Sequence, residues 1–310
     1  MYKQFYGLKR NPFEMSPDPR FYYATPLHNE ALASLIYGVQ KRKGFVVTTG
    51  EVGTGKSLLV RCLLQWLTRN QISFSNIFNT RLSSLEFLQY FVSDLGLQSS
   101  SNKAELLIQL NQYLIGQYRR GSTTVLVVDE GQLLEWEVLE EIRLLTNLET
   151  VQQKLLQIIL VGQPELELKL DSPRLRQLKQ RITFRCHLRA LSQQETRAYV
   201  MHRLKIAGAN SHADTLFPEG TLAAIAQHSR GVPRLINTIC ENALIEGYAR
   251  QTYEITPGMI HQIATDSRLE SPQHPELIGN SFDRDELVND LFRTIEAPET
   301  PDSGDVKKAG

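Results

Sequence analysis

The sequence predicts an α/β three-layer sandwich on a parallel sheet, followed by a small all-helical domain and a flexible acidic tail. Three observations predict it. Strand and helix signals alternate from about residue 45 to 190, helical stretches alone follow Leu191, and composition and charge change at Asp266. Such alternation is the βαβ rhythm of parallel strands covered by helices. The expected boundaries are 1–190 for the α/β unit, with its core at 42–190, then 191–267 for the helical unit and 268–310 for the tail.

The elements follow in order. GFVVTTG is a short apolar run ended by glycine, SLLVRCLLQWLTR has helical spacing and SFSNIFN is strand-like. TTVLVVDE is apolar and β-branched up to two acids, and LLEWEVLEEIRLLTNLE returns to helical spacing. LLQIILVGQ is a buried strand and ITFRCHL a weaker one. Four helical stretches come next: LSQQETRAYVMHRLKIAG, PEGTLAAIAQHSRG, PRLINTICENALIEGYARQ and TPGMIHQIATDS. Ser192 with Glu195 forms a capping box, Thr256 with Pro257 an N-cap pair, and Gly208 and Gly231 are helix stops.

From Asp266 onward eleven acids face five bases, a net of −6, so the first 265 residues of this neutral chain carry +6. The tail holds Ser-Pro, His-Pro, Ala-Pro and Thr-Pro steps and one amphipathic candidate, DRDELVNDLFRTI, with Leu287, Leu291 and Ile295 four apart. So few apolar residues cannot offset the entropy of ordering it, which leaves an appendage with one docking helix at most.

The chain has 310 residues, 41 % of them hydrophobic, with 34 Lys+Arg against 34 Asp+Glu, which excludes collagen-like and wholly disordered classes. No run approaches the roughly 18 to 20 apolar residues of a membrane span, and MYKQFYGLKRNPF lacks the apolar stretch of a signal peptide. The expected address is the cytoplasm. Cys62, Cys186 and Cys240 are far apart and odd in number, the seven histidines lack ligand spacing, and neither set suggests a metal framework.

GEVGTGKS is a full G-x-x-x-x-G-K-[ST] between a predicted strand and a predicted helix. It comprises Gly50, Glu51, Val52, Gly53, Thr54, Gly55, Lys56 and Ser57, with Leu58 continuing into the helix. Its glycines let successive backbone N–H groups curl around phosphates at a helix N-terminus. Lys56 adds a point charge and the Ser57 hydroxyl a ligand for Mg²⁺. The cofactors so implied are ATP and Mg²⁺. Downstream, VLVVDE sets Asp129 and Glu130 at the C-terminal end of a buried strand, the edge where parallel sheets bind ligands. Asp129 suits the metal, and Glu130 suits a base that polarises water for attack on the γ-phosphate.

Gln163, after the strand IILVG, reaches the same edge and could sense the γ-phosphate or hold the water; the bland alternative is a turn residue before Pro164. The segment Lys169 to Arg189 has seven bases and one acid, and its Arg181 could reach a neighbouring subunit's nucleotide. Arg234 opens a helix just after a Gly-x-Pro turn, an unfavourable place for a cation unless an anion is near.

Together GEVGTGKS, VLVVDEGQ, LVGQPEL, LRQLKQRI, ETRAYVMHRLKIAGA, GVPRLIN and the opening FYGLKRNPFEMSPDPRFYY resemble the ExeA/GspA-type AAA+ ATPases of general secretion pathways, with relatives in pilus biogenesis and polysaccharide-export loci. The likeness spans roughly residues 1 to 265. It implies a P-loop AAA+ module with Lys56 and Ser57 in Walker A and Asp129 and Glu130 in Walker B. It further implies Gln163 as sensor 1, Arg181 as arginine finger, Arg234 as sensor 2, and Asn11, Pro12 and Phe13 over the adenine, with residues 191–267 as the lid. Gly131 replaces the alanine usual in relatives. Relatives devoted to secretin assembly continue into a membrane helix and a periplasmic domain, which this sequence lacks, so a partner at the inner face of the membrane is the expected link to the envelope.

The leading expectation is a homo-oligomeric, ring-forming ATPase whose cycle moves the lid and changes contacts with a secretion, pilus or polysaccharide-export protein. A transposition-type DNA-binding regulator is the rival from another class, weakened by neutral charge and the lack of a DNA-binding motif. A nucleotide-dependent scaffold is disfavoured by the intact Glu130, and a small-molecule kinase by the lack of an acceptor pocket.

Overall fold

The computed structural model describes residues 2–78, 80–209 and 213–267, so the expected tail and its docking helix lie outside the described residues. In chain order the elements are α1 (Tyr2–Phe5), α2 (Pro26–Gln40), β1 (Phe45–Gly50), α3 (Lys56–Arg69), β2 (Ser73–Ile77), α4 (Ser84–Asp94), α5 (Lys103–Arg119) and β3 (Thr124–Val128). They continue with α6 (Trp136–Leu145), β4 (Leu156–Gly162), α7 (Pro164–Leu170), α8 (Arg176–Lys179), β5 (Phe184–Leu188), α9 (Gln193–Ala207), α10 (Ala213–Leu216), α11 (Glu219–Ser229), α12 (Pro233–Ala249) and α13 (Pro257–Asp266).

The five strands form one sheet in the order β2-β3-β4-β1-β5, parallel throughout. The three central strands are buried along their whole length, as continuous apolar runs require when helices cover both faces. One face packs Phe87, Phe91, Leu106 and Leu110 of α4 and α5 against Leu126 and Ile158. The other packs Leu32, Leu35 and Ile36 of α2 and Leu59 and Leu63 of α3 against Val125 and Val127. The expected three-layer α/β architecture with a helical region after Leu191 is therefore what the chain adopts.

Local signals behave as read in the helical region. Ser192 and Glu195 make the reciprocal capping box, Thr256 caps α13, and Gly208 ends α9 in the left-handed conformation. Before Gly231 the structure differs slightly: α11 stops at Ser229 and Arg230 itself takes the left-handed cap, with Gly231 following at φ 72°.

Helices α2, α4 and α5 were not anticipated. Six successive residues of α2, Ala31 to Ile36, are buried, which erases the polar face that helical periodicity relies on. A second core joins the helical region to the segment before α2. Tyr6, Leu8, Phe13 and Phe21 are buried with Val200, Leu204, Phe217, Ile236 and Ile260, and the Tyr2 hydroxyl donates to the Glu241 carboxylate at 2.8 Å. This segment is a strap laid over the helical region.

Candidate functional site

Parallel register sets the ends of β1, β4 and β3 side by side, Thr49 opposite Gly162 and Val128 opposite Leu160. The loop from Gly50 leads straight into α3, and the loops from Val128 and Gly162 carry Asp129, Glu130 and Gln163. A cavity of about 350 Å³ opens at this edge. Its floor is Val52 to Leu58 with Glu130 and Gln163, and its far wall is Leu191, Tyr199, Arg203, Pro233, Arg234 and Asn237 of the helical region. Glu14 to Asp18 of the strap, Tyr22, Tyr23 and His28 close the remaining side.

The glycine loop is pressed onto the start of α12. At Gly53, φ is 82° and a Cβ would lie 2.8 Å from Arg234 Cβ, so only glycine fits. The Arg234 backbone N–H donates to the Gly53 carbonyl at 3.2 Å, and its side chain is exposed on the cavity wall. Lys56 is buried, and its Nζ donates to the Gly50 and Glu51 carbonyls at 2.6 and 2.9 Å. Burial lowers the Lys56 ammonium from its ordinary range, opposed by the charges of Glu130 and Asp129. Glu51 and Ser57 are both exposed, Ser57 on the cavity floor and Glu51 outside the cavity lining.

At the end of β3 the Glu130 backbone N–H donates to Asp129 Oδ1 at 2.9 Å, and Glu130 stands at φ 53°. Burial pushes the Asp129 carboxyl up, and the neighbouring Glu130 charge adds to that. Asp129 is half-buried and is not among the cavity-lining residues, whereas Ser57 is; their hard oxygens are the donor type that fits a divalent cation such as Mg²⁺. Glu130 Oε2 accepts from Gln132 Nε2 at 2.6 Å and from Gln163 Nε2 at 3.4 Å. Gln132 in turn accepts the Gln163 backbone N–H at 2.9 Å. Sequence reasoning missed Gln132, although it follows Glu130 by two residues, because its value lies in a contact with a loop 31 residues away.

His28 was also missed. Its Nδ1 lies 2.7 Å from the Thr25 hydroxyl and its Nε2 3.0 Å from the Thr54 carbonyl, bracing the loop from below. The Thr25-Pro26 helix start was the available signal. Burial lowers its imidazole from the ordinary range.

Two expected groups sit elsewhere. Phe13 is fully buried against Phe217, ring centroids 6.0 Å apart, and the Pro12 carbonyl accepts from Arg203 Nε, so both stand behind the cavity wall and Glu14 to Asp18 form its surface. Arg181 does not line the cavity; its guanidinium donates to Asn147 Oδ1 at 2.7 Å, in the turn that follows α6.

The family model described as an AAA domain matches residues 39–170. General secretion pathway protein A of Aeromonas hydrophila is 45 % identical over 263 residues, 84 % of this chain and 47 % of that protein, so the chain spans about half the length of this curated relative. Among solved structures, Drosophila ORC bound to DNA superimposes with a TM-score of 0.62 at 18 % identity, over 87 % of this chain and 66 % of that one. The ORC2 protein of Aeropyrum pernix, solved as ADPNP-ADP complexes, gives 0.57 at 15 % identity, over 83 % and 72 %. At such identities the two structures speak to the fold alone.

Proposed function

The chain belongs to the AAA+ family of General secretion pathway protein A, and on that premise we propose that it binds ATP with Mg²⁺ in the cavity at the sheet edge and hydrolyses it. The convergence of Lys56, Ser57, Glu130, Gln163 and Arg234 on one cavity carries this reading. When bound, Mg²⁺ supplies positive charge to the phosphate oxygens. Ser57 and Asp129 would hold it. Lys56 exchanges two loop carbonyls for phosphate oxygens, which makes its buried ammonium far better paired. Glu130 accepts a proton from the attacking water, and Gln163 orients that water from the next strand end. Arg234 brings the helical region onto the phosphates, so that hydrolysis changes how that region sits.

Arg181 lies outside the cavity of its own chain, which supports a role on the nucleotide of a neighbouring copy and hence a homo-oligomer. The client is proposed from the relative: a component of secretion or envelope assembly. Among the described residues no helix is long and apolar enough to cross a membrane, and membrane association is proposed to go through a partner. A DNA-binding role gains little from the segment Lys169 to Arg189. There Lys179 pairs with Asp171 at 2.7 Å, Arg185 with Glu167 and Arg174 with Glu137 at 3.5 Å, so three of its seven bases already face a carboxylate of this chain.

The test is ATP binding by calorimetry and phosphate release by the purified protein with Mg²⁺. Lys56→Ala is expected to abolish both; undiminished affinity in that variant would remove the loop from phosphate recognition.

A further inference from the structure

The wall of the cavity that belongs to the helical region contains a buried cation without a carboxylate partner among the described residues. Arg203 is 4 % exposed, its guanidinium over the rings of Phe21 and Tyr199 at 4.7 and 5.5 Å. Its Nε donates to the Pro12 carbonyl, its Nη2 to the Glu14 carbonyl at 3.4 Å, and its Nη1 to the Tyr199 hydroxyl at 2.7 Å. Arginine has donors and no acceptor, so the polarity of everything beyond it is fixed. Tyr199 oxygen accepts from Arg203, and burial keeps the phenol protonated. Its one hydrogen then goes to Asn237 Oδ1, 3.0 Å away. The amide oxygen of Asn237 is thereby taken, and the opposite orientation of the amide would set two donors against each other.

Asn237 is itself 8 % exposed and lines the cavity, and among the described residues nothing accepts from its Nδ2. It follows Arg234 by one turn of α12, roughly 4.5 Å along the axis, away from the glycine loop and beside the Tyr199 wall. A donor displaced in this way from the phosphate end faces the nucleoside. We propose that Asn237 contacts the nucleoside part of the bound nucleotide, donating Nδ2–H to an acceptor on the base or ribose, and that Tyr199 and Arg203 are positioning residues that hold the amide in that sense. The inference rests on the nucleotide reading above and deepens it.

Binding of ATP and of inorganic tripolyphosphate, each with Mg²⁺, to the full chain tests it. Asn237→Leu is expected to weaken ATP about tenfold and leave tripolyphosphate unchanged, with Tyr199→Phe giving a smaller loss of the same pattern. Should Asn237→Leu alone fail to fold, the pair Tyr199→Phe with Asn237→Leu removes donor and acceptor together and serves instead. With 2′-deoxy-ATP, a vanished difference between wild type and variant assigns the acceptor to the ribose 2′ oxygen, and a persisting one to the rest of the nucleoside. Equal losses for ATP and tripolyphosphate, or no loss for either, overturn the proposal. Wild-type protein that binds neither compound refutes the nucleotide reading itself, which is a different outcome.

Discussion

The ammonium of Lys56 and the carboxylate of Glu130 show how single residues are prepared for chemistry before any ligand arrives. Each is held by groups that a nucleotide or water would displace: two loop carbonyls for the lysine, two glutamine amides for the glutamate. Glu130→Gln keeps the size and loses the base, so ATP should still bind while phosphate release falls by about 10²-fold, measured in single turnover. Turnover near wild type would remove Glu130 from proton transfer. His28 makes a pH prediction. Its folded value lies below the ordinary 6.5, so the unfolded chain binds the extra proton. Its stabilising contribution is therefore complete above about 6.5 and is lost as pH falls through the lower, folded value. The melting temperature should decline from pH 7 to 5, and His28→Gln should flatten part of that slope; His202, shifted the same way by burial, acts in the same direction. At this scale the glycine loop and the Asp129-Glu130 pair were readable because they are contiguous. Gln132, His28, Arg203 and Asn237 were not, since each acquires its importance from a partner in another loop or helix.

Among elements, the strands were read most surely, because β1, β3 and β4 are buried on both faces and so appear as unbroken apolar runs. Helices α4 and α5 escaped although they are the crossover from β2 to β3 and Ser83 and Glu86 form a capping box at the start of α4: two helices share one connection there, where the simple alternation allows for one. The turn between α11 and α12 is a junction on which the cavity wall depends. There the Leu191 N–H donates to the Gly231 carbonyl at 2.8 Å, and a Cβ on Gly231 would stand 1.8 Å from the Leu191 carbonyl oxygen, at a φ of 72° besides. Gly231→Ala should cost about 3 kcal/mol or more in urea unfolding and shift α12 away from the glycine loop. A loss below 0.5 kcal/mol would mean the junction yields readily.

For the molecule as a whole, the position of Arg181 is the informative one. A guanidinium tied to the turn after α6, outside the cavity lining, cannot serve the nucleotide of its own chain without rearrangement, so its contribution should appear only between copies. Arg181→Ala should bind ATP normally and turn it over slowly. Mixing it with Lys56→Ala protein should recover part of the rate, since each lends what the other lacks; inactivity of the mixture at every ratio would assign Arg181 to the Thr146-Asn147 turn instead. The strap has a different consequence. Tyr2 and its acceptor Glu241 are 239 positions apart, and the buried aromatic side chains Tyr6, Phe13 and Phe21 share a core with residues such as Val200, Phe217 and Ile263. During synthesis these rings leave the ribosome long before the helices that shelter them exist. The nascent chain must therefore carry a greasy, unsheltered segment until the helices that cover it have followed, an interval in which a holding chaperone would find its natural target.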